Sequence, residues 1–191
     1  MAILVTGCFG YIGAICSKLL LEQGYEVVGI DNLSRSRQRA ELEGMTFYQS
    51  CIQDDVIEEI VTKHEIDTVM HFAAFIEVAE SVEKPELYYE NNYLKTKSFI
   101  DKLAELGVKQ FVFSSTAAVY GMPAGNEPLR EDRPLEPINP YGENKLAVEK
   151  YLQEKSSRSD FKYIALRYFN VAGAYGELGE EHDPETHLIP I

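Results

Sequence analysis

The sequence lacks tryptophan, has few cysteines and histidines, and carries little positive charge. Its 191 residues include three cysteines, four histidines, and 18 lysines and arginines against 31 acidic residues, giving a formal net charge of −13. A surface this acidic repels nucleic-acid phosphates and anionic membranes, so we expect neither kind of partner. It still allows one pocket for an anionic ligand, because donors close to a ligand outweigh distant charge.

The few cysteines and histidines are not spaced for a disulfide framework or a metal site. Cys8, Cys16 and Cys51 form no CxxC pair and leave an odd count, so we predict no metal and a reducing, cytoplasmic location. No apolar stretch approaches the roughly 20 residues of a transmembrane helix. The amino-terminal apolar run is short and has no basic leader, so we expect no signal peptide.

Apolar runs alternate with amphipathic stretches along the chain, which predicts a parallel sheet with helices on both faces. Strands are expected near residues 2–5, 26–31, 46–49, 68–72, 109–115 and 161–167. Helices are expected over residues 11–23, 54–64, 85–106 and 141–156, the third being one long helix. The predicted fold class is therefore α/β, with a doubly wound parallel sheet.

A glycine-rich turn connects the first predicted strand to the first predicted helix. Residues 5–13 read VTGCFGYIG, a GxxGxxG pattern formed by Gly7, Gly10 and Gly13. Gly7 permits a sharp exit from the strand, Gly10 lets a pyrophosphate approach the backbone, and Gly13 lets the helix pack on the sheet. The free N–H groups and the dipole of the helix N-terminus favour negative charge there.

An acidic residue ends the second predicted strand, about 20 residues beyond the glycine turn. The carboxylate of Asp31 could accept hydrogen bonds from both ribose hydroxyls and would repel a 2′-phosphate. The strand, glycines, helix and acid together predict a dinucleotide site that prefers NAD over NADP. The alternatives are that Asp31 only caps its loop and that Arg35 and Arg37, in the same loop, meet a phosphate.

A YxxxK pattern and a hydroxyl-rich strand end supply candidate catalytic groups. Tyr141 and Lys145 lie on one face of a predicted helix. A fixed ammonium and a positive nicotinamide ring would lower the phenol pKa by about 3 units from its usual value near 10, making a general base near neutrality. Among Ser114, Ser115 and Thr116, where the fifth strand ends, we favour Thr116 as the hydroxyl shared between phenol and substrate.

Several motifs in order resemble the extended short-chain dehydrogenase/reductases, in particular their members that epimerise UDP-sugars at C4. They run along essentially the whole chain: TGCFGYIG, DNLS, HFAA, ESVEKPELYYENN, FSSTAAVYG, PYGENKLAVE, LRYFNVAGA and PETHLIP. The resemblance implies a Rossmann-like NAD-binding domain over residues 1–170. Residues 171–191 would begin a substrate-binding region.

The resemblance also implies a reaction and a set of site residues. UDP-glucose and UDP-galactose would be interconverted by transient oxidation at sugar C4, with Thr116, Tyr141 and Lys145 as catalytic hydroxyl, base and lysine. The UDP-sugar would contact Thr116, Tyr141 and Asn170. The residues implied to bind NAD are Gly7, Gly10, Tyr11, Ile12, Gly13, Asp31, Asn32, Leu33, Ser34, Arg35, Ser36, Cys51, Ile52, Phe72, Ala73, Ala74, Phe75, Ile76, Asn91, Tyr141, Lys145 and Phe169.

The sequence departs from the family pattern at several places. Cys51 stands where an acid usually accepts from the adenine amino group, and Ile76 where some members carry a lysine. Members typically continue well past PETHLIP into a substrate lobe, which we expect to be largely missing here. The strand at residues 161–166 would then be a bare edge, and we expect low solubility and little turnover from these residues alone.

Other functions on the same scaffold stay open. A 4,6-dehydratase is disfavoured, because such enzymes place an Asp-Glu pair after the active-site threonine and this chain has Ala117 and Ala118. A decarboxylase acting on UDP-glucuronate is a weaker alternative. An NAD-binding module without catalysis is the alternative from another class. In similar enzymes the long helix and the Tyr141 helix form a dimer bundle, so a homodimer is expected.

Overall fold

The computed structural model describes residues 2–36, 42–122, 125 and 127–180. Its strands are β1 (Ala2–Thr6), β2 (Glu26–Asp31), β3 (Thr46–Gln49), β4 (Ile66–His71), β5 (Gln110–Thr116) and β6 (Lys162–Tyr168). They form one six-stranded sheet in the order β3-β2-β1-β4-β5-β6. The pairs β1–β2, β1–β4, β2–β3 and β5–β6 are parallel. With its flanking helices, this Rossmann-like arrangement confirms the predicted α/β fold class.

The helices agree with the sequence in three of four predicted places. They are α1 (Tyr11–Glu22), α2 (Val56–Lys63), α3 (Val78–Glu83), α4 (Pro85–Tyr88), α5 (Lys95–Glu105) and α6 (Pro140–Ser157). The prediction of one long helix over residues 85–106 is wrong, because a π-helical segment, Tyr89–Leu94, separates α4 from α5. The short helix α3 was not predicted. Within the described ranges, no helix is long and apolar enough to span a membrane.

The chain divides into two compact units, one of Met1–Ala73 with Asn170–Ile191 and the other of Ala74–Phe169. In the first unit, β1 is buried along its whole length. Leu178, from the carboxyl-terminal segment, joins the core cluster that contains Val5 and Phe9. The predicted boundary between residues 170 and 171 stays a prediction, and residues 181–191, which include PETHLIP, lie outside those described.

The second unit packs aromatic side chains around β5. Phe111 contacts both Phe99 of α5 and Phe161, with ring centroids 6.5 Å and 6.0 Å apart. The prediction of an edge strand is confirmed, since β6 ends the strand order of the sheet. On β6, Ile164 and Leu166 are 59% and 37% exposed. Exposed apolar side chains on an edge strand favour association, so the expected low solubility stays a prediction with a structural basis.

Candidate active site

The glycine turn between β1 and α1 has a geometry that requires glycine at two positions. Gly7 has a φ of +67°, and a Cβ there would lie 2.7 Å from the Ala73 nitrogen. At Gly13 a Cβ would lie 2.1 Å from the Gly7 carbonyl oxygen. Gly10 is the N-cap of α1, where no side chain caps the helix and the first turn has no acidic residue. The first N–H groups of α1 are therefore suited to an anion.

Asp31 joins the glycine turn to the loop that follows β2. Its Oδ2 accepts from the Phe9 N–H at 3.1 Å. Its Oδ1 accepts from the Leu33 N–H at 2.9 Å and from the Ser36 hydroxyl at 2.8 Å. Asp31 thus caps its loop, as the first of the alternative interpretations of the sequence proposed. A carboxylate has about four acceptor positions, so about one is left for a ribose hydroxyl, and that contact stays a prediction.

Thr6 fixes the chain where β4 ends. Its hydroxyl is 2.8 Å from His71 Nδ1 and accepts from the Ala73 N–H at 3.3 Å. The Phe72 N–H donates to the Thr6 carbonyl at 3.1 Å. Two residues predicted to line the cofactor, Phe72 and Ala73, are therefore held close to Gly7. His71 is itself buried and hydrogen-bonded to Thr6.

In the second unit, Asn92 holds the segment that carries Phe75. Its side chain accepts from the Phe75 N–H at 2.9 Å and donates to the Phe75 carbonyl at 2.8 Å. Asn91, predicted to reach the cofactor, donates to Asn92 Oδ1 at 3.0 Å. Both asparagines lie in the π-helical segment, a structure frequent at functional sites. Sequence analysis missed Asn92, for which the adjacent pair of asparagines was the available signal.

Helix α6 begins with a double cap that fixes the backbone of Tyr141. The Asn139 side chain accepts from the Gly142 N–H at 2.8 Å, and Pro140 occupies the first helical turn. The buried Ser81 hydroxyl, on α3, accepts from the Tyr141 N–H at 3.3 Å. Two of the free N–H groups of this helix are thus satisfied by side chains. The sequence indicates the Asn-Pro start but gives no signal for Ser81.

The three predicted catalytic residues come together in the second unit. The Thr116 side chain lies close enough to the Tyr141 phenol to lower its pKa. Lys145 Nζ lies 5.9 Å from the centroid of the Tyr141 ring and donates to the Ser114 carbonyl at 2.7 Å. Lys145 is 3% exposed. The arrangement can hold a phenol and an amine beside one hydroxyl, and the catalytic role of each residue stays a proposal.

Burial sets the charges of this cluster. It raises the pKa of the Tyr141 phenol, and the Thr116 side chain only partly opposes this rise. It lowers the pKa of Lys145 to about 7. The predicted lowering of the phenol pKa, which combined a fixed ammonium with a positive nicotinamide ring, stays a prediction. Desolvation, which disfavours the charged form, is the largest cause of the pKa shift in each of the two groups.

The buried amine gives the stability of the chain a distinct pH dependence. Between about pH 7 and pH 9 the unfolded chain keeps a proton on Lys145 that the folded chain releases. Stability therefore rises with pH by up to about 1.4 kcal/mol per unit through this group. We expect Lys145→Met to remove that slope, measured by urea unfolding at several pH values. Lys155→Met on the same helix is the control, and equal slopes in wild type and Lys145→Met would contradict the prediction.

Other predicted site residues lie on the surface or in loops. Phe169 is 65% exposed and Ile76 44% exposed. The Tyr11 hydroxyl donates to the Gly173 carbonyl. Cys51 donates its N–H to Asp54 at 2.8 Å, and its sulfur accepts from the Asn32 amide at 3.6 Å. The Ser34 N–H donates to Asn32 Oδ1 at 3.0 Å. The other predicted cofactor residues are Ile12, Arg35, Ile52 and Ala74, the predicted substrate residue Asn170 is exposed, and Arg37 lies outside the described residues.

The fold and these two sets of residues define a class. A parallel sheet with a glycine turn before α1, an acid at the end of β2, and a Thr-Tyr-Lys cluster is typical of short-chain dehydrogenase/reductases. No group of histidine, cysteine and acidic side chains that could hold a metal ion occurs in the described part of the chain.

Comparison with known proteins gives the family. The NAD dependent epimerase/dehydratase family matches residues 3–191, and the chain belongs to it. It is similar to a UDP-glucose 4-epimerase of Halalkalibacterium halodurans, with 50% identity over 194 residues that cover 100% of this chain and 58% of the relative. The chain thus spans less than two thirds of the length of that relative.

Solved structures agree with this assignment. The crystal structure of UDP-glucose 4-epimerase from Brucella ovis in complex with NAD is similar at a TM-score of 0.93 and 43% identity, covering 99% of this chain and 58% of that one. The crystal structure of UDP-glucose 4-epimerase from Bifidobacterium longum in complex with NAD+ and UDP has a TM-score of 0.88 and 35% identity, covering 95% and 57%.

Proposed function

We propose that the chain carries the NAD-binding and catalytic residues of a UDP-glucose 4-epimerase. The observation that carries the proposal is the Thr116-Tyr141-Lys145 cluster, in which a partly buried phenol, a buried amine and a hydroxyl are adjacent. The names of the similar proteins support the substrate, since they are UDP-glucose 4-epimerases at 50% and 43% identity. The activity remains a proposal, because the chain spans only 58% of each of them.

The glycine turn fits the pyrophosphate of NAD. Among the described residues, its two chain neighbours aside, a Cβ at Gly10 would have only the Gly7 carbonyl oxygen near it, at 3.4 Å. The uncapped N-terminus of α1 directs N–H groups into the space beside Gly10. Asp31 would hold the adenosine ribose with its remaining acceptor position, and its charge would disfavour a 2′-phosphate. When bound, NAD⁺ supplies a hydride acceptor for sugar C4 and a positive charge beside the phenol.

The residues of the chain supply the proton chemistry. Tyr141 would remove the proton of the sugar 4-hydroxyl as the C4–H bond breaks, leaving a 4-ketose. Thr116 would keep the phenol and the 4-hydroxyl in one hydrogen-bonded line. After the ketose has turned its other face, a hydride would return to C4 on that face while the phenol returns the proton to the 4-oxygen, so no net oxidation occurs. Because burial raises the phenol pKa, the positive charge of NAD⁺ is needed to make Tyr141 a base near neutral pH.

The turn after Thr116 favours epimerisation over dehydration. The 3₁₀ turn Ala117–Tyr120 begins with two alanines, which cannot transfer a proton. Elimination of water from a 4-ketose requires an acid and a base near C5 and C6. We propose no dehydratase activity for this reason. A homodimer and a cytoplasmic location stay predictions.

The proposal is tested by conversion of UDP-galactose to UDP-glucose. The chain is incubated with UDP-galactose and NAD⁺, and the sugar nucleotides are separated by anion-exchange chromatography. Binding of NAD⁺ is measured in parallel by calorimetry, with NADP⁺ as the matched control. We expect slow conversion, in keeping with the little turnover expected from these residues alone, and tighter binding of NAD⁺ than of NADP⁺. Binding of NAD⁺ without any conversion would overturn the epimerase proposal and favour a binding module without catalysis.

A further inference from the structure

Behind the catalytic cluster lies a buried polar network centred on Glu149. This residue is on α6 and is 7% exposed. Its carboxylate accepts from the Ser115 hydroxyl. It also accepts from Arg167, with Nε at 3.1 Å and 3.2 Å from the two oxygens and the terminal nitrogen Nη2 at 2.7 Å. The mechanism above uses none of these three residues.

The network spans the elements that carry the catalytic residues. Ser115 on β5 and Arg167 on β6 are register partners in the parallel pair. Arg167 also donates to the Tyr120 hydroxyl at 3.0 Å, and its guanidinium lies 5.0 Å from the centroid of that ring. Tyr120 ends the 3₁₀ turn that begins directly after Thr116. One carboxylate thus joins α6 to β5, to β6 and, through Arg167, to the turn after Thr116.

The spacing along α6 makes the network a continuation of the catalytic face. Tyr141, Lys145 and Glu149 recur every four residues, so they lie on successive turns of one side of the helix. Lys145 donates to the Ser114 carbonyl, Glu149 accepts from the Ser115 hydroxyl, and the Tyr141 phenol lies beside the Thr116 side chain, which lowers its pKa. Three turns of the helix are therefore each tied to one of three consecutive residues of β5. These contacts fix both the height and the rotation of the helix against the strand.

From this geometry we infer that Glu149 is a positioning residue, which sets the register of α6 on β5 and so keeps the Tyr141 phenol beside Thr116. The inference deepens the proposed function, because it concerns the same phenol. The negative charge of Glu149 is compensated by Arg167, and the carboxylate raises the pKa of the Arg167 guanidinium. The pair is mostly buried, with side chains 19% and 9% exposed for Arg167 and Glu149. Removing one member of the pair leaves the other as an uncompensated, mostly buried charge. That side chain would move toward solvent, and helix α6 would shift with it.

The test measures the phenol itself and does not depend on turnover. The chain is labelled with ¹³C at the tyrosine ζ carbon, and the Tyr141 resonance is assigned from its loss in Tyr141→Phe. The pKa of this phenol is then followed by NMR in wild type, in Glu149→Gln and in Glu154→Gln. Glu154 is the matched control, because it lies on the same helix and pairs with Arg158 at 2.7 Å, but that pair is exposed.

We expect Glu149→Gln to raise the Tyr141 pKa by about half a unit or more, since the phenol loses the contact with the Thr116 side chain that lowers its pKa. Glu154→Gln should leave the Tyr141 pKa as in wild type. Should Glu149→Gln fail to fold, Ser115→Ala and Arg167→Lys are tested for the same rise in the Tyr141 pKa. Each removes a contact of Glu149 while leaving most of the side-chain volume in place. An unchanged Tyr141 pKa in a folded variant of the network overturns the inference.

The outcome is independent of the epimerase assay. If the chain converts no UDP-galactose and the Tyr141 pKa still responds to Glu149→Gln, the proposed function fails and the positioning role stands. If conversion occurs and the pKa does not respond, the positioning role alone fails. Where the chain turns over, Glu149→Gln should also lower kcat more than it raises KM, since Glu149 contacts no substrate group in the proposal.

Discussion

Gly13→Ala is expected to destabilise the chain by about 3 kcal/mol or more, a loss that lowers the melting temperature by on the order of 10 °C. The added Cβ would lie 2.1 Å from the Gly7 carbonyl oxygen and 3.0 Å from its carbon. Both are backbone atoms of the glycine turn, and unlike the end of a flexible side chain they cannot rotate away from the added Cβ. Either α1 or the glycine turn must therefore move. Circular dichroism during thermal unfolding measures the effect.

Gly10→Ala in the same turn is the informative counterpart. Gly10 has a φ of −69°, which any residue adopts, and its Cβ would be 3.4 Å from the Gly7 carbonyl oxygen. We expect stability within about 1 kcal/mol of wild type. The methyl group would nevertheless fill the space proposed for the pyrophosphate, so NAD⁺ binding should weaken by about tenfold or more. Unaltered NAD⁺ binding in Gly10→Ala, or wild-type melting in Gly13→Ala, would contradict this account of the turn.

The elements that the sequence predicts well are those determined locally. Strands β2 and β3 agree with their predictions at both ends, and β1 agrees within a residue, because short apolar runs bounded by turn residues have few alternatives. The stretch from Pro85 to Glu105 has helical periodicity throughout, yet it contains a π-helical segment. That segment accompanies the pairing of Asn92 with the backbone of Phe75, 17 residues away. A contact of this range leaves no trace in local periodicity.

In the candidate site, the sequence predicts where residues lie better than it predicts their pKa values. Four-residue spacing was sufficient to place Tyr141 and Lys145 on one face. It could not give the direction of their pKa values, because desolvation depends on how the whole unit buries them. The same spacing extended by one turn reaches Glu149, so the pattern YxxxKxxxE was a signal that sequence analysis left unused. Ser81, which bonds the Tyr141 N–H from another helix, has no counterpart in spacing at all.

Tyr141→Phe is expected to reduce conversion of UDP-galactose by about 10²- to 10⁴-fold, the usual contribution of a general acid–base group. Phenylalanine keeps the ring and removes only the oxygen that lies beside Thr116. Stability should therefore change by about 1 kcal/mol or less. NAD⁺ binding should persist, since the proposed pyrophosphate and ribose contacts are made by other residues.

Tyr151→Phe is the control for this substitution, because Tyr151 lies on the same helix and its hydroxyl bonds Asp101 instead of a catalytic residue. It should keep the wild-type rate.

Thr116→Val tests the contribution of the Thr116 hydroxyl to the Tyr141 base, because valine keeps the shape of the side chain and removes the hydroxyl. That hydroxyl lowers the Tyr141 pKa, so its loss should move the acid limb of the kcat/KM profile to higher pH. A Tyr141→Phe rate close to wild type, with conversion still dependent on NAD⁺, would assign the proton transfer to another group.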